Sequence, residues 1–265
     1  MKKFLTYLQW STLPLAFSAA GWSLIVHQVL DIETDWIMVA LAFLCTWFFY
    51  TKDRLQFTEG DEINSQARYF WTKKYLYHAN KAVIPIILVL TIMRPKIIIA
   101  ALLGTLLTLL YNRDMKLLGF NLNLKKINGG KIILVAGLWV VLLVLFPAIH
   151  AHIDFTNMNF WLISIFVGAM ITNIIIINDL KDIPGDRAEG VKSLAVVYGE
   201  KATRWFSFGL ISLSVVVGWT LFPSLRLLLF AGAVCSLPLF YERRFNQFMY
   251  PLNASVGILA YLILL

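Results

Sequence analysis

Charge is scarce in this chain. Asp, Glu, Lys and Arg supply 14% of the 265 residues, while 59% are hydrophobic; a soluble domain carries about a quarter charged residues. That shortage excludes a water-soluble globule and points to an integral membrane protein. Cysteine is nearly absent: Cys45 and Cys235 both lie inside apolar runs and lack metal-ligand spacing, which leaves packing as their role. The four histidines, His27, His78, His150 and His152, do not form a site by spacing. Also missing are a Gly-rich phosphate loop, a nucleophile elbow and a zinc signature, so the commonest soluble nucleotide, hydrolase and zinc chemistries have no foothold. No small-residue cleavage site follows the apolar stretch after Lys3, and that stretch reads as a retained first span.

Long apolar runs are what the chain has in abundance. They fall at 13–30, 36–50, 82–93, 97–111, 132–149, 160–177, 205–222, 225–240 and 248–265. Each is long enough to cross, or nearly cross, a hydrocarbon layer of about 30 Å, the shorter ones by borrowing flanking turns. The expected fold is therefore all-α and polytopic, about nine transmembrane helices in one bundle over residues 1–265, with a cytoplasmic-side cap.

The basic residues give an orientation. With the N-terminus inside, twenty of the twenty-three Lys and Arg fall in inner segments, and the outer segments hold only Arg94, Lys96 and Arg226. The positive-inside rule then sets the N-terminus in the cytoplasm and the C-terminus outside, as in a bacterial plasma membrane. The net charge of +8 is explained by this topology, and no soluble module remains to carry nucleic-acid binding. Three inner links are expected to be long, 52–81, 112–131 and 179–204, and able to build a site on the cytoplasmic face.

The last of these links opens with Asn178-Asp179-Leu180-Lys181-Asp182-Ile183-Pro184-Gly185-Asp186-Arg187, straight after an apolar run. Unpaired carboxylates so close together repel one another strongly and call for a compensating cation. If the helix continues through Asp182, Asn178 and Asp182 share a face with Asp179 beside them. Pro184 disfavours helix at Ile183 and Gly185 permits a turn, which would let Asp186 swing back toward that face. Such an all-oxygen cup suits Mg²⁺, a hard cation that commonly binds one or two carboxylates plus substrate phosphates. The plainer alternative is a solvated helix end with a few ion pairs.

The run NDLKDIPGDRAEGVKSLAVVYG resembles the second aspartate-rich motif of the UbiA superfamily of intramembrane prenyltransferases. The family's trailing Gly, Lys-Ser/Thr and Gly stand here as Gly190, Lys192-Ser193 and Gly199. The segment Tyr111-Asn112-Arg113-Asp114-Met115-Lys116 resembles the family's Tyr-x-x-x-x-Lys signature, whose lysine faces the substrate diphosphate. The family's first motif, N-x-x-x-D-x-x-x-D, is degraded. Phe49 and Phe57 replace its ends and Asp53 alone survives, next to Lys52 and Arg54. That first metal position is either lost or rebuilt from Glu59, Asp61 and Glu62. Asp53 could also do no more than pair with Lys52 or Arg54.

The resemblance implies transfer of a prenyl group from an allylic isoprenoid diphosphate to an aromatic or other lipophilic acceptor within the bilayer. It implies Mg²⁺ on Asp179, Asp182, Asp186 and Asp53, with the diphosphate and its chain held by Asn178, Tyr111, Lys116, Arg54, Lys181, Arg187 and Lys192. The lost first motif motivates a second reading, a UbiA-fold protein impaired in catalysis that binds isoprenoid lipid or a partner. A third, an ion relay through Asp179 and Asp182, would place carboxylates nearer mid-membrane and sits poorly with an odd number of spans.

Overall fold

A computed structural model describes residues 6–223 apart from 9, 58, 113, 114, 118, 119 and 123–126. The expected spans at 225–240 and 248–265 lie outside the described residues. From Leu13 on, the described residues form these α-helices in turn: α1 (Leu13–Val29), α2 (Trp36–Arg54), α3 (Glu59–Ile92), α4 (Ile98–Asn112), α5 (Gly130–Val140), α6 (Phe146–His150), α7 (Met158–Ala188) and α8 (Leu194–Leu221). A small antiparallel hairpin, β1 (Met115–Leu117) with β2 (Phe120–Leu122), lies between α4 and α5, with Lys116 opposite Asn121. Wider π-type turns over Val141–Leu145 join α5 to α6. Pro147, two residues beyond, has no N–H to donate, and a wider turn gives its ring room.

Among the described residues four stretches are long and apolar enough to cross a membrane: Gln66–Ile92, Gly130–His150, Met158–Leu180 and Leu194–Leu221, with shorter apolar helices at Leu13–Val29 and Pro95–Thr108. The packing is up and down. Thr12 pairs with Thr51 across α1 and α2, Asn80 donates to the Phe48 carbonyl across α2 and α3, and Phe166 meets Phe222 across α7 and the end of α8. α7 is the central helix, touching α1, α3, α5 and α8. The main core gathers Trp22, Ile25, Trp139, Leu143, Ile163, Phe166, Val167 and Ile176 from α1, α5 and its extension, and α7.

Helix α3 shows why a membrane is the fitting solvent. Thr72, Leu76, Asn80, Val83, Ile87 and Leu90, at helical spacing, form its bundle-facing stripe. The opposite face exposes Ile84, Ile86, Leu88, Val89 and Ile92, a patch suited to hydrocarbon. Along α8 the inward residues are mostly small, Ala195, Thr203, Ser207, Ser214 and Gly218 beside Val217, with Ser207 bonded to Asn173 of α7. Small residues let two helices approach closely where lipid removes the hydrophobic drive for association.

Two expected links are not loops. Helix α3 begins at Glu59, so most of 52–81 is helical, and α7 runs to Ala188 with α8 starting at Leu194. The segment after Glu59 is rich in Glu, Gln, Ala, Lys and Arg, all good helix formers, which carry the helix past the apolar span. Pro184 does not end α7. The proline is exposed, so the carbonyl one turn back that loses its helical donor has water within reach.

Candidate functional site

Because α7 stays helical, Asp186 does not need to swing back. Asp179, Asp182 and Asp186 are spaced i, i+3, i+7 and share one face of the helix. Asp179 is 1% exposed and Asp186 8%, while Asp182 is half-buried. Lys131, in the first turn of α5, reaches across to them. Its Nζ donates to Asp179 Oδ1 at 2.6 Å and lies 3.7 Å from Asp186 Oδ2. Asp179 Oδ2 and Asp186 Oδ2 are buried with no hydrogen-bond partner. Buried acceptors without a hydrogen bond are costly, and a bound ion or water is one way of satisfying them.

The end of α7 is fixed by its backbone. Val191 N donates to the Asp186 carbonyl at 2.8 Å and Gly190 N to the Arg187 carbonyl at 3.2 Å, the double bond of a Schellman motif. Gly190 stands at φ +68°, the left-handed conformation this motif demands. Nine residues on, Gly199 takes φ 82°, ψ 166° inside α8 and breaks it into two helical pieces. Both glycines of the trailing motif thus have a conformational reason to be there, and the first sets the turn that carries Asp186.

The remaining expected site residues are scattered. Asn178 donates to the Ile174 carbonyl on its own helix. Arg187 and Lys192 are exposed at the turn from α7 to α8. The side chains of Tyr111, Lys116 and Lys181 lie outside the described residues, as do those of Glu59, Asp61 and Glu62. Asp53 is exposed in the last turn of α2, and Arg54 beside it donates to the Trp10 carbonyl at 2.9 Å. The two phenylalanines of the degraded motif are used for packing: Phe49 meets Phe48 edge-on and Phe57 packs on Tyr69 with centroids 4.7 Å apart. Lys52 lies over the Phe48 ring.

Among the described residues no three His, Cys, Asp or Glu side chains are grouped to hold a metal by themselves. Two carboxylates, each with a buried oxygen that accepts no hydrogen bond, are still a fitting donor set for a hard cation that takes its other ligands from a diphosphate and water. Lys131 is the residue that the motifs do not reveal. In the sequence it is one more cation of a basic inner segment, and only the packing of α5 on α7 brings it, across 48 positions, to Asp179.

The opposite end of the bundle is closed by charge. Asp35 caps α2 by accepting from Ile37 N and takes two hydrogen bonds from Arg94, at 2.6 and 2.9 Å, with His150 Nε2 3.3 Å away. Partial burial pushes the Asp35 pKa up, but the Arg94 hydrogen bonds, the Ile37 N–H and the nearby positive charges outweigh it and hold the carboxyl below its ordinary value.

The sequence model of the UbiA prenyltransferase family matches residues 75–255, more than half of the chain. No curated protein and no solved structure matches. The match takes in α7, α8 and Lys131, and leaves out Asp53.

Proposed function

Since this chain belongs to the UbiA prenyltransferase family, a family of intramembrane transferases, we propose that it moves a prenyl group from an allylic isoprenoid diphosphate to an aromatic or other lipophilic acceptor. The diphosphate would be held at the end of the bundle where α7 carries its carboxylates, facing the cytoplasm, and the isoprenoid tail would lie among the spans. The observation that carries this reading is the pair of buried oxygens, Asp179 Oδ2 and Asp186 Oδ2, that accept no hydrogen bond on one helix face.

In the reaction, the bond between C1 of the prenyl chain and the diphosphate oxygen breaks, and the electron pair leaves with the diphosphate. The acceptor attacks the allylic carbon and loses a proton. Asp179 and Asp186 would hold Mg²⁺, which when bound supplies neutralising charge to the departing diphosphate. The chain's own cations add to this. Lys131 stands beside the carboxylates, and Arg187 in the last turn of α7 and Lys192 in the link after it are exposed, where point charges and a guanidinium fork suit phosphate oxygens. Groups fixed in a poorly hydrated site stabilise developing charge without having to reorganise. Lys116, Lys181 and Arg54 remain in the proposal as further diphosphate contacts, and Asp182 and Asp53 as further carboxylates.

A lipid comparison tests the transfer itself. Extracts of cells making the protein should contain a prenylated lipid that is missing from cells making Asp182→Ala; identical extracts would speak against transfer. One observation favours the alternative of a binding protein: Phe49 and Phe57 are committed to aromatic packing where the family pattern has metal ligands. On that reading, allylic diphosphate with Mg²⁺ would stabilise the protein against heat and release no pyrophosphate.

A further inference from the structure

We propose that Lys131 is a tethered counter-ion: it holds the α7 carboxylates while no divalent cation is present and turns to the diphosphate when one enters, so that Mg²⁺ and diphosphate bind together or poorly. This deepens the prenyl-diphosphate reading above and rests on it. Three observations support it. The ammonium is tight on Asp179 Oδ1, at 2.6 Å, and loose on Asp186 Oδ2, at 3.7 Å. Its side chain is 17% exposed, so water weakens these interactions little. And each carboxylate keeps a buried oxygen that accepts no hydrogen bond.

Charge explains why the two ligands should depend on each other. Three carboxylates on one face, Asp182 the most exposed of them, and one ammonium leave two negative charges. A divalent cation added to the buried oxygens would stand only a few ångströms from the ammonium, and in a poorly hydrated site the repulsion between the two cations is strong. A diphosphate relieves it. Its oxygens accept from the ammonium and complete the coordination of the metal, and the four-carbon stem of a lysine is mobile enough to follow. Conversely, a diphosphate arriving without metal meets a net negative site. Each ligand thus removes the obstacle to the other.

The test uses the purified full chain in detergent, with MgCl₂ and inorganic pyrophosphate as probes and thermal stabilisation as the readout. Wild-type protein should respond to Mg²⁺ at a concentration about tenfold or more lower when pyrophosphate is present. Lys131→Met should respond to Mg²⁺ alone at a concentration about tenfold lower than wild type does, and should lose the gain from pyrophosphate. Lys131→Arg, whose fork can bridge both carboxylates, should need more Mg²⁺ than wild type with pyrophosphate present. An unchanged Mg²⁺ requirement in Lys131→Met, even with turnover lost, makes Lys131 merely structural and overturns the proposal. Should that variant fail to fold, an unchanged requirement in Lys131→Arg overturns it alone. These results leave the function reading standing as long as wild type responds to Mg²⁺ with pyrophosphate; no response in wild type brings down both.

Discussion

Asp35 and Asp179 are both partnered carboxylates, yet their partners leave them in different states. Asp35 has both oxygens occupied, by Arg94, by the Ile37 N–H and by His150, and its pKa lies below the ordinary value. A carboxyl depressed in this way adds stability above its unfolded pKa of about 3.9, and that contribution disappears as pH falls through the lower folded value. Asp35→Asn keeps the cap and removes the charge, so the stability gap between wild type and variant should be complete near neutral pH and should shrink below about pH 4. Thermal unfolding across that range would show it, and a gap of the same size at both ends would contradict the assignment. Asp179 has one oxygen on Lys131 and the other on nothing. The sequence makes Asp179, Asp182 and Asp186 readable as one group, though by the turn that Pro184 and Gly185 suggest for Asp186, where the structure instead continues the helix and puts all three on one face. Lys131 is not readable, because its place depends on how α5 packs against α7.

Among the elements, the apolar runs expected up to residue 222 fall in helices, of which four described stretches are long and apolar enough to cross a membrane, and the helix ends differ from those expected. Apolar length marks where a helix can meet lipid. It says nothing of how far the helix continues into water, and α3 and α7 both continue for several turns. The break expected at Pro184 did not occur, whereas the break in α8 at Gly199 has no such obvious sign as a proline. The two glycines allow a graded test. A Cβ at Gly190 or Gly199 would meet no atom within 4 Å, so any cost of alanine is a backbone cost. At Gly190, in the left-handed region, it should be about 1–2 kcal/mol. Gly199, at φ 82°, ψ 166°, lies in a region essentially reserved for glycine, and its alanine variant should be the less stable of the two, with a loss of about 1–3 kcal/mol. Thermal unfolding of both variants in detergent decides the order; a Gly199→Ala protein as stable as wild type would mean the α8 break is not fixed by that residue.

For the whole molecule, the described helices place one polar cluster at each end of an apolar bundle: the α7 carboxylates with Lys131 at one, Asp35 with Arg94 and His150 at the other. The distribution of Lys and Arg predicts that the carboxylate end faces the cytoplasm. In a chain freed of Cys45 and Cys235, a cysteine at Gln56 should be labelled only from the cytoplasmic side and one at Thr156 only from outside; the reverse would put the proposed site in the wrong compartment. The central claim is that the buried carboxylates of α7 serve a departing diphosphate. Its most direct test is pyrophosphate release by purified protein given allylic diphosphates of several chain lengths and a panel of lipophilic acceptors, with and without Mg²⁺, in wild type, Asp53→Ala and Asp179→Asn. Release that requires Mg²⁺, persists in Asp53→Ala and falls about a hundredfold or more in Asp179→Asn is the predicted result; release indifferent to Asp179, or none with any chain length, would contradict it.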